Sequence, residues 1–361
     1  MTDPLKDRRA GALLHPTSLP GNSRQGRLGS TARAFIDFLN SAGLSVWQML
    51  PLGPTHEDRS PYQCLSVHAG NVELISLEDL AGTGWLDPAQ IPEEFDAKAG
   101  AVLLQQARSG FEAIATADQK AAFTAFKDSH SEWLDDYALY QAIRQAHGET
   151  SWLAWPTALR DRDATALAEF SRLHAGLIEQ VCFEQYLFFT QWQALRDYAH
   201  SQQVMLFGDI PIFVAHDSAD VWAHRGLFSV DAGGALEVVA GVPPDYFSAT
   251  GQRWGNPLYR WDRLQADDFE WWIQRFRTQL ALFDIVRLDH FRGFEKYWEI
   301  PATAETAVDG HWVEAPGAAL FTRLQQVFGT LPLVAEDLGL ITPEVDALRD
   351  AFGFPGMKIL Q

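Results

Sequence analysis

FDIVRLDHFRG, residues 283–293, carries the clearest architectural signal in the chain. It begins as a short apolar run and ends in charged residues, which is typical of a strand buried in a parallel sheet. In an extended strand, Arg287 and Asp289 point to the same side, so a guanidinium lies beside a carboxylate and is expected to hold Asp289 ionised. Polar residues at the carboxyl end of such a strand lie where the active sites of α/β barrels assemble, although an ordinary structural ion pair gives the same pattern.

Five other short apolar runs resemble this one and end in polar residues, Gly or Pro. Helical patterns fall between several of them, as at residues 31–42 and 344–352. Strands that alternate with helices indicate βα units, and therefore an α/β fold with a parallel sheet. The six predicted strands are residues 10–14, 45–50, 204–207, 283–288, 331–334 and 357–360. A closed barrel needs eight strands.

Two long segments interrupt this alternation. Residues 70–200 show Ala-rich helical periodicity without convincing buried strands, and they predict a helical insertion subdomain. Residues 215–267 are rich in Gly, Pro and aromatic residues, and a loop of that length in a compact domain is usually functional or disordered. We therefore expect strands 1–2 within residues 1–69, and strands 3–6 within residues 201–361 with a lid insertion at about 215–267.

Composition excludes several classes of function. The 361 residues include 28 Lys+Arg and 47 Asp+Glu, a formal charge of −19, which disfavours binding to a phosphate backbone. No run of eighteen apolar residues and no signal-peptide pattern occurs, so we predict a cytoplasmic protein without a membrane partner. Cys64 and Cys182 are too few for a disulfide framework and show no metal-ligand spacing. Most of the 13 Trp residues are expected in the core.

A second acidic strand end follows in LPLVAEDLG, residues 331–339, which delivers Glu336 and Asp337. Carboxylates on neighbouring strand ends can face each other across a substrate, as a retaining glycosidase requires: one of the pair Asp289 and Glu336 would attack the anomeric carbon and the other would transfer protons. A metal site is the alternative, with His290 and Asp337 as further ligands. Because no metal-binding spacing supports it, we predict no metal.

Two further segments offer sugar contacts. GDIPIFVAHDSADVW, residues 208–222, places Asp209 just after a predicted strand, where it either binds sugar or caps a loop. In GVPPDYFSATGQRWGNPLY, residues 241–259, the rings of Tyr246, Phe247 and Trp254 can stack on sugars. A surface loop packed by its own aromatic residues would have the same composition.

These segments, together with LLHPTSLP (13–20), SVWQMLPLGPT (45–55) and SPYQ (60–63), resemble the amylomaltases, the 4-α-glucanotransferases of glycoside hydrolase family 77. The resemblance extends from about residue 10 to the last residue and includes VRLDHFRGFEKYWEIPA, VAEDLGLITPEV and FGFPGMKILQ. It implies a (β/α)8 TIM barrel with helical insertions, and catalysis without metal or organic cofactor. It also implies malto-oligosaccharides and α-1,4-glucans as substrates, and leaves open whether the protein is a monomer or a homodimer.

The resemblance assigns roles to residues at matching positions. It makes Asp289 the nucleophile and Glu336 the general acid/base of a double displacement. The donor-sugar site would be formed by Tyr62, Asp209, Arg287 and His290. Residues of a flexible lid near the acceptor sites would be Tyr246, Phe247, Ser248, Gln252 and Trp254.

The sequence also departs from the family pattern. The turn GNSRQGRLG, residues 21–29, replaces the usual glycine-and-aspartate turn, which leaves the preferred glucan length open. In the family a third essential acid, the Asp of a His-Asp pair, follows the seventh strand, and no equivalent precedes Gln361. We therefore expect a C-terminally truncated barrel, with about six of eight strands and little activity of its own.

Three functions fit the sequence. The first is a 4-α-glucanotransferase that moves α-1,4-glucan segments between malto-oligosaccharides through a covalent glucosyl-enzyme. The second is an α-amylase-like hydrolase, which the lid disfavours. The third is a non-catalytic glucan-binding fragment.

Overall fold

The computed structural model describes residues 4–20 and 26–360, so the atypical turn at 21–29 lies largely outside the described residues. The strands in this part of the chain are β1 Gly11–Leu13, β2 Val46–Gln48, β3 Met205–Pro211, β4 Val238–Val242, β5 Gln252–Pro257, β6 Ile285–Asp289, β7 Lys296–Pro301, β8 His311–Glu314 and β9 Leu333–Ala335. The helices are α1 Ser30–Ser41, α2 Leu77–Gly82, α3 Ala97–Ile114, α4 Ala117–Ala146, α5 Thr157–Arg160, α6 Ala164–Leu173, α7 Ala175–Ser201, α8 Ala219–Ala223, α9 Trp261–Ala266, α10 Glu270–Leu282, α11 Gly317–Phe328 and α12 Pro343–Ala351.

A parallel sheet with the order β1-β2-β3-β6-β9 forms the centre of the molecule. Its strands are apolar because helices cover the sheet, and Trp47, Leu206, Val286 and Leu333 are fully buried. The α/β prediction is confirmed. Within the described residues the sheet has five strands, and β1 and β9 are its outermost members, so it is an incomplete barrel.

One predicted strand is wrong. Residues 357–360 form no strand, because none of the described segments covers this apolar run: Ile359 and Leu360 are exposed. The backbone N–H of Met357 instead donates to the Asp337 side chain. An apolar run becomes a buried strand only where other segments cover it.

The lid insertion at 215–267 is not the irregular loop that its composition predicts. It contains α8, β4, β5 and α9, and β4 pairs with β7 in a four-stranded antiparallel sheet of order β5-β4-β7-β8. The pairing between β4 and β7 joins segments far apart in sequence, which local composition does not reveal. The loop between β4 and β5, residues 243–251, contains no helix or strand, and we call it the lid loop.

Helices α2–α7 occupy the connection between β2 and β3. Helix α4 begins at a capping box in which Thr116 and Gln119 bond each other's backbone N–H groups. It packs against α7, which in turn contacts β3.

Nine of the 13 Trp residues are buried, which confirms that most serve the core. Among the helices of residues 4–20 and 26–360, none is long and apolar enough to cross a bilayer.

Candidate active site

Three neighbouring strands bring the predicted catalytic residues together. Asp209 on β3 lies opposite Arg287 on β6, and Asp289 ends β6 opposite Pro211. Glu336 directly follows β9, the next strand of the sheet. Since parallel neighbours end at the same edge, these side chains share the carboxyl edge of the sheet. Asp209 lies inside β3 rather than just after it, because the ladder with β6 continues to Pro211.

Arg287 bridges two carboxylates. Its Nη1 atom donates to Asp209 Oδ2 at 2.7 Å, and its Nη2 atom lies 2.7 Å from Asp289 Oδ1. The Tyr62 hydroxyl donates to the same Asp209 Oδ2 atom at 2.8 Å. The predicted pairing of Arg287 with Asp289 is confirmed, and the planar guanidinium fixes the two acids relative to each other.

Burial shapes the electrostatics of this group. Burial raises the pKa of Asp209 to about 7; Arg287 opposes the shift and the charge of Asp289 adds to it. Burial also raises the pKa of Asp289, against the lowering effect of Arg287. The expectation that Arg287 simply holds Asp289 ionised is therefore incomplete, since burial outweighs the ion pair in the net pKa shift.

Glu336 is held by backbone donors. Its carboxylate accepts the N–H of His290 at 2.9 Å and the N–H of Leu338 at 3.0 Å. The first bond depends on a left-handed backbone at His290, with φ of 53°, which turns the chain directly after β6. Such strain in a non-glycine residue is typical of functional sites. Burial and the charge of Asp289 raise the pKa of Glu336, while the two N–H groups lower it.

His290 presents a neutral ring to the site. Burial lowers its pKa to about 4, and the charge of Arg292 acts in the same direction. The ring meets Trp254 edge to face, with 4.9 Å between centroids. Its Nε2 atom and Asp209 Oδ1 are buried and have no hydrogen-bond partner among the described residues. Both are therefore available to a ligand.

A cleft of about 360 Å³ opens beside these groups. Its walls are residues from the segment 60–63, residues 211–213 at the end of β3 and just after it, and the β5 residues Trp254 and Asn256, with Asp289 also lining it. The side chains of Gln63 and Asn256 exchange amide hydrogen bonds of 3.1 and 3.3 Å across it. No sequence pattern predicted this pair, although the two residues lie in the segments 60–63 and 241–259, which resemble the family.

The predicted lid residues divide into two groups. Gln252 and Trp254 lie on β5, and the Trp254 indole N–H donates to Gln252 Oε1 at 3.1 Å. Tyr246 and Phe247, on the lid loop, are 97% and 92% exposed and contact each other at 5.5 Å between ring centroids. In this conformation Tyr246 is not packed against the strand-end residues.

Asp337 has a different environment from Glu336. Its buried carboxylate pairs with Arg349 of α12 and accepts the Met357 N–H at 2.7 Å. It therefore anchors the segment after β9. Across residues 4–20 and 26–360, no group of three or more His, Cys, Asp or Glu side chains has an arrangement that could hold a metal ion.

The chain is similar to known 4-alpha-glucanotransferases. A profile of the 4-alpha-glucanotransferases, glycoside hydrolase family 77, matches residues 14–361. The 4-alpha-glucanotransferase of Thermus thermophilus is 52% identical over 98% of this chain and 72% of its own length. That of Synechocystis sp. is 47% identical over 99% of this chain and 73% of its own length.

A solved structure is similar throughout the described fold. The amylomaltase from Streptococcus agalactiae in complex with acarbose superimposes with a TM-score of 0.93 at 37% identity, covering 98% of this chain and 73% of that one. With a family profile that matches nearly the whole sequence and relatives of this identity, the chain belongs to the 4-alpha-glucanotransferase family, glycoside hydrolase family 77.

Proposed function

We propose that Asp289 is the nucleophile and Glu336 the general acid/base of a retaining transfer of α-1,4-glucan segments. The observation that carries this proposal is the arrangement of Asp289 and Glu336 on adjacent strand ends, with Arg287 joining Asp289 to Asp209. Arg287 occupies Asp289 Oδ1, so Oδ2 is the oxygen that attacks. Two carboxyl groups with different hydrogen-bond partners can take the two different roles.

The reaction has two steps that mirror each other. In the first, Asp289 bonds to the anomeric carbon, the glycosidic C–O bond breaks, and Glu336 gives its proton to the departing oxygen. In the second, Glu336 takes the proton of an acceptor hydroxyl, whose oxygen displaces Asp289. Two inversions retain the anomeric configuration. The upward pKa shift of Glu336 favours its protonated form at the start, and its two N–H partners favour the carboxylate that the second step needs.

The donor sugar would be bound by Tyr62, Asp209, Arg287 and His290. Asp209 Oδ1 and His290 Nε2 are buried without protein partners among the described residues, so each can bond a sugar hydroxyl without giving up an existing contact. A neutral His290 can accept or donate such a bond, as its tautomer requires. None of these steps involves a metal or organic cofactor.

Acceptor selection would depend on Tyr246, Gln252 and Trp254. If the lid loop closes over the glucosyl-enzyme, its aromatic rings exclude water and offer stacking faces to a second sugar. The exposure of Tyr246 in the present conformation supports a role in closing the loop, because the ring can move without losing many packing contacts. Malto-oligosaccharides would then serve both as donors and as acceptors.

Product analysis with maltotriose tests the proposed function. A transferase releases glucose and makes longer chains while the number of reducing ends stays constant. A net gain of reducing ends, with only shorter products, would instead identify a hydrolase. Binding of maltotriose without turnover would favour a non-catalytic glucan-binding role for these 361 residues.

A further inference from the structure

Arg275 of α10 is a buried cation that the proposed catalytic steps do not use. The residue is 2% exposed, and among the described residues no carboxylate lies within ion-pair distance of it. Its burial lowers its pKa, with partial compensation from Tyr259 and Asp220. A buried guanidinium without a direct counter-ion is costly, so its hydrogen bonds must serve a specific purpose.

All the hydrogen bonds of this guanidinium converge on one point of the chain. Nη2 donates to the carbonyl of Pro211, and Nη1 donates to the carbonyl of Ile212 at 3.1 Å. Nη1 also donates to the Tyr259 hydroxyl at 3.2 Å, which itself donates to the Ile212 carbonyl at 2.7 Å. The indole of Trp272 lies 4.9 Å from the guanidinium carbon. Arg275 thus holds both carbonyl groups, and Tyr259 shares with it the carbonyl of Ile212.

These carbonyl groups belong to the wall of the active-site cleft. Pro211 lies opposite Asp289 in the pairing of β3 with β6, and Pro211 and Ile212 both line the cleft. Tyr259 follows β5, the strand that bears Trp254. The Arg275–Tyr259 pair therefore connects helix α10, the cleft wall and the strand from which the lid loop extends.

We propose that Arg275 is a positioning residue that, together with Tyr259, sets how the glucosyl-enzyme partitions between water and a sugar acceptor. The proposal rests on the proposed function. Arg275 does not touch substrate; it fixes the carbonyl groups of Pro211 and Ile212, and through Tyr259 the strand at the base of the lid loop. Loosening this connection lets the wall and the lid separate, and water then reaches the intermediate more often. A Lys keeps the charge but lacks the planar two-pronged donor geometry.

The test measures the ratio of hydrolysis to transfer with maltotriose for the wild type, R275K and Y259F. A ratio does not depend on how much of a variant is folded, so it separates positioning from simple destabilisation. We expect R275K to raise the ratio about fivefold and Y259F about twofold, because small relative changes in two competing barriers alter partitioning by such factors. Acceptor KM should rise in parallel with the ratio.

Arg196 provides a matched control. It also bonds a backbone carbonyl near the end of α10, that of Ala281 at 2.8 Å, but it pairs with Asp284 at the opposite end of β6. R196K should leave the ratio unchanged. If R275K only lowers total activity at an unchanged ratio and KM, Arg275 is merely structural and the proposal is overturned. Absence of transfer in the wild type would instead refute the proposed function.

Discussion

The strand-end residues and the lid loop are built in opposite ways. Asp209 is 3% exposed, and Arg287 holds it together with Asp289 by two contacts of 2.7 Å. On the lid loop, Tyr246 is 97% exposed, and the nearby hydrogen bonds are local, such as those of the Phe247 and Ser248 N–H groups to Asp245. The strand-end carboxylates are thus held by fixed contacts, while the aromatic side chains of the proposed acceptor-selecting segment have little packing that would resist movement.

The largest effect is expected from substitutions of the strand-end carboxylates. D289N should lower the rate of glycosyl-enzyme formation by at least about 10⁴-fold, because an amide cannot serve as the nucleophile. E336Q treated with an α-glycosyl fluoride should accumulate a covalent adduct, since fluoride departs without an acid whereas release needs the base. Mass spectrometry of peptides should locate the adduct on Asp289.

D337N supplies the control for that experiment. Asp337 neighbours Glu336 in sequence but pairs with Arg349, so D337N should lower the melting temperature and still turn over. An adduct located on any residue other than Asp289, or wild-type activity in D289N, would contradict the role assignments.

A smaller effect is expected at the bridging guanidinium. R287K should lower kcat/KM about 10²-fold, because a point charge cannot orient two carboxylates as the planar fork does, and small misplacements have effects of this size. Arg287 lowers the pKa of Asp289, so weakening this contact raises that pKa. The ionised nucleophile is then lost at higher pH, and the acidic limb of the kcat/KM profile should move upward. An unchanged acidic limb in R287K would show that Arg287 does not control this ionisation.

The smallest effect is expected at the lid loop. Y246A and F247A should raise acceptor KM about fivefold, since one aromatic contact contributes about 1 kcal/mol. Their melting temperatures should equal that of the wild type, because both side chains are almost fully exposed. Formation of the glycosyl-enzyme from an α-glycosyl fluoride should also be unaffected. A loss of stability comparable to that of D337N would mean that the loop is packed rather than mobile.

The strand ends could be predicted because their signal is local. Apolar runs that end in Arg287, Asp289 and Glu336 identify buried parallel strands, and adjacent strands necessarily bring their carboxyl ends together. Side-chain alternation within β6 then predicts the Arg287–Asp289 pair correctly. The helical character of the segment between β2 and β3 follows in the same way from local periodicity.

Other features could not be predicted because they depend on partners distant in sequence. Within the part of the chain that the structure describes, no segment covers the apolar run at 357–360, whereas the apolar run of β4 becomes a strand because β5 and β7 lie beside it. Gln63 and Asn256 are ordinary polar residues until the fold places them face to face. The net upward pKa shift of Asp289 likewise depends on burial, which no pairing rule reveals.

The sequence by itself determined the α/β class, the family and which acidic residues lie at the strand ends, because short contiguous segments with characteristic spacing carry each of these signals. Only the tertiary structure decided which carboxylates Arg287 joins and that burial raises the pKa of Asp289 against the effect of this ion pair. The structure also decided that Arg275 and Tyr259 bond the backbone carbonyl groups of the cleft wall. The physical reason is that hydrogen bonds and desolvation act over a few ångströms in space. Residues separated by tens of positions acquire their roles only when the sheet brings them within that range.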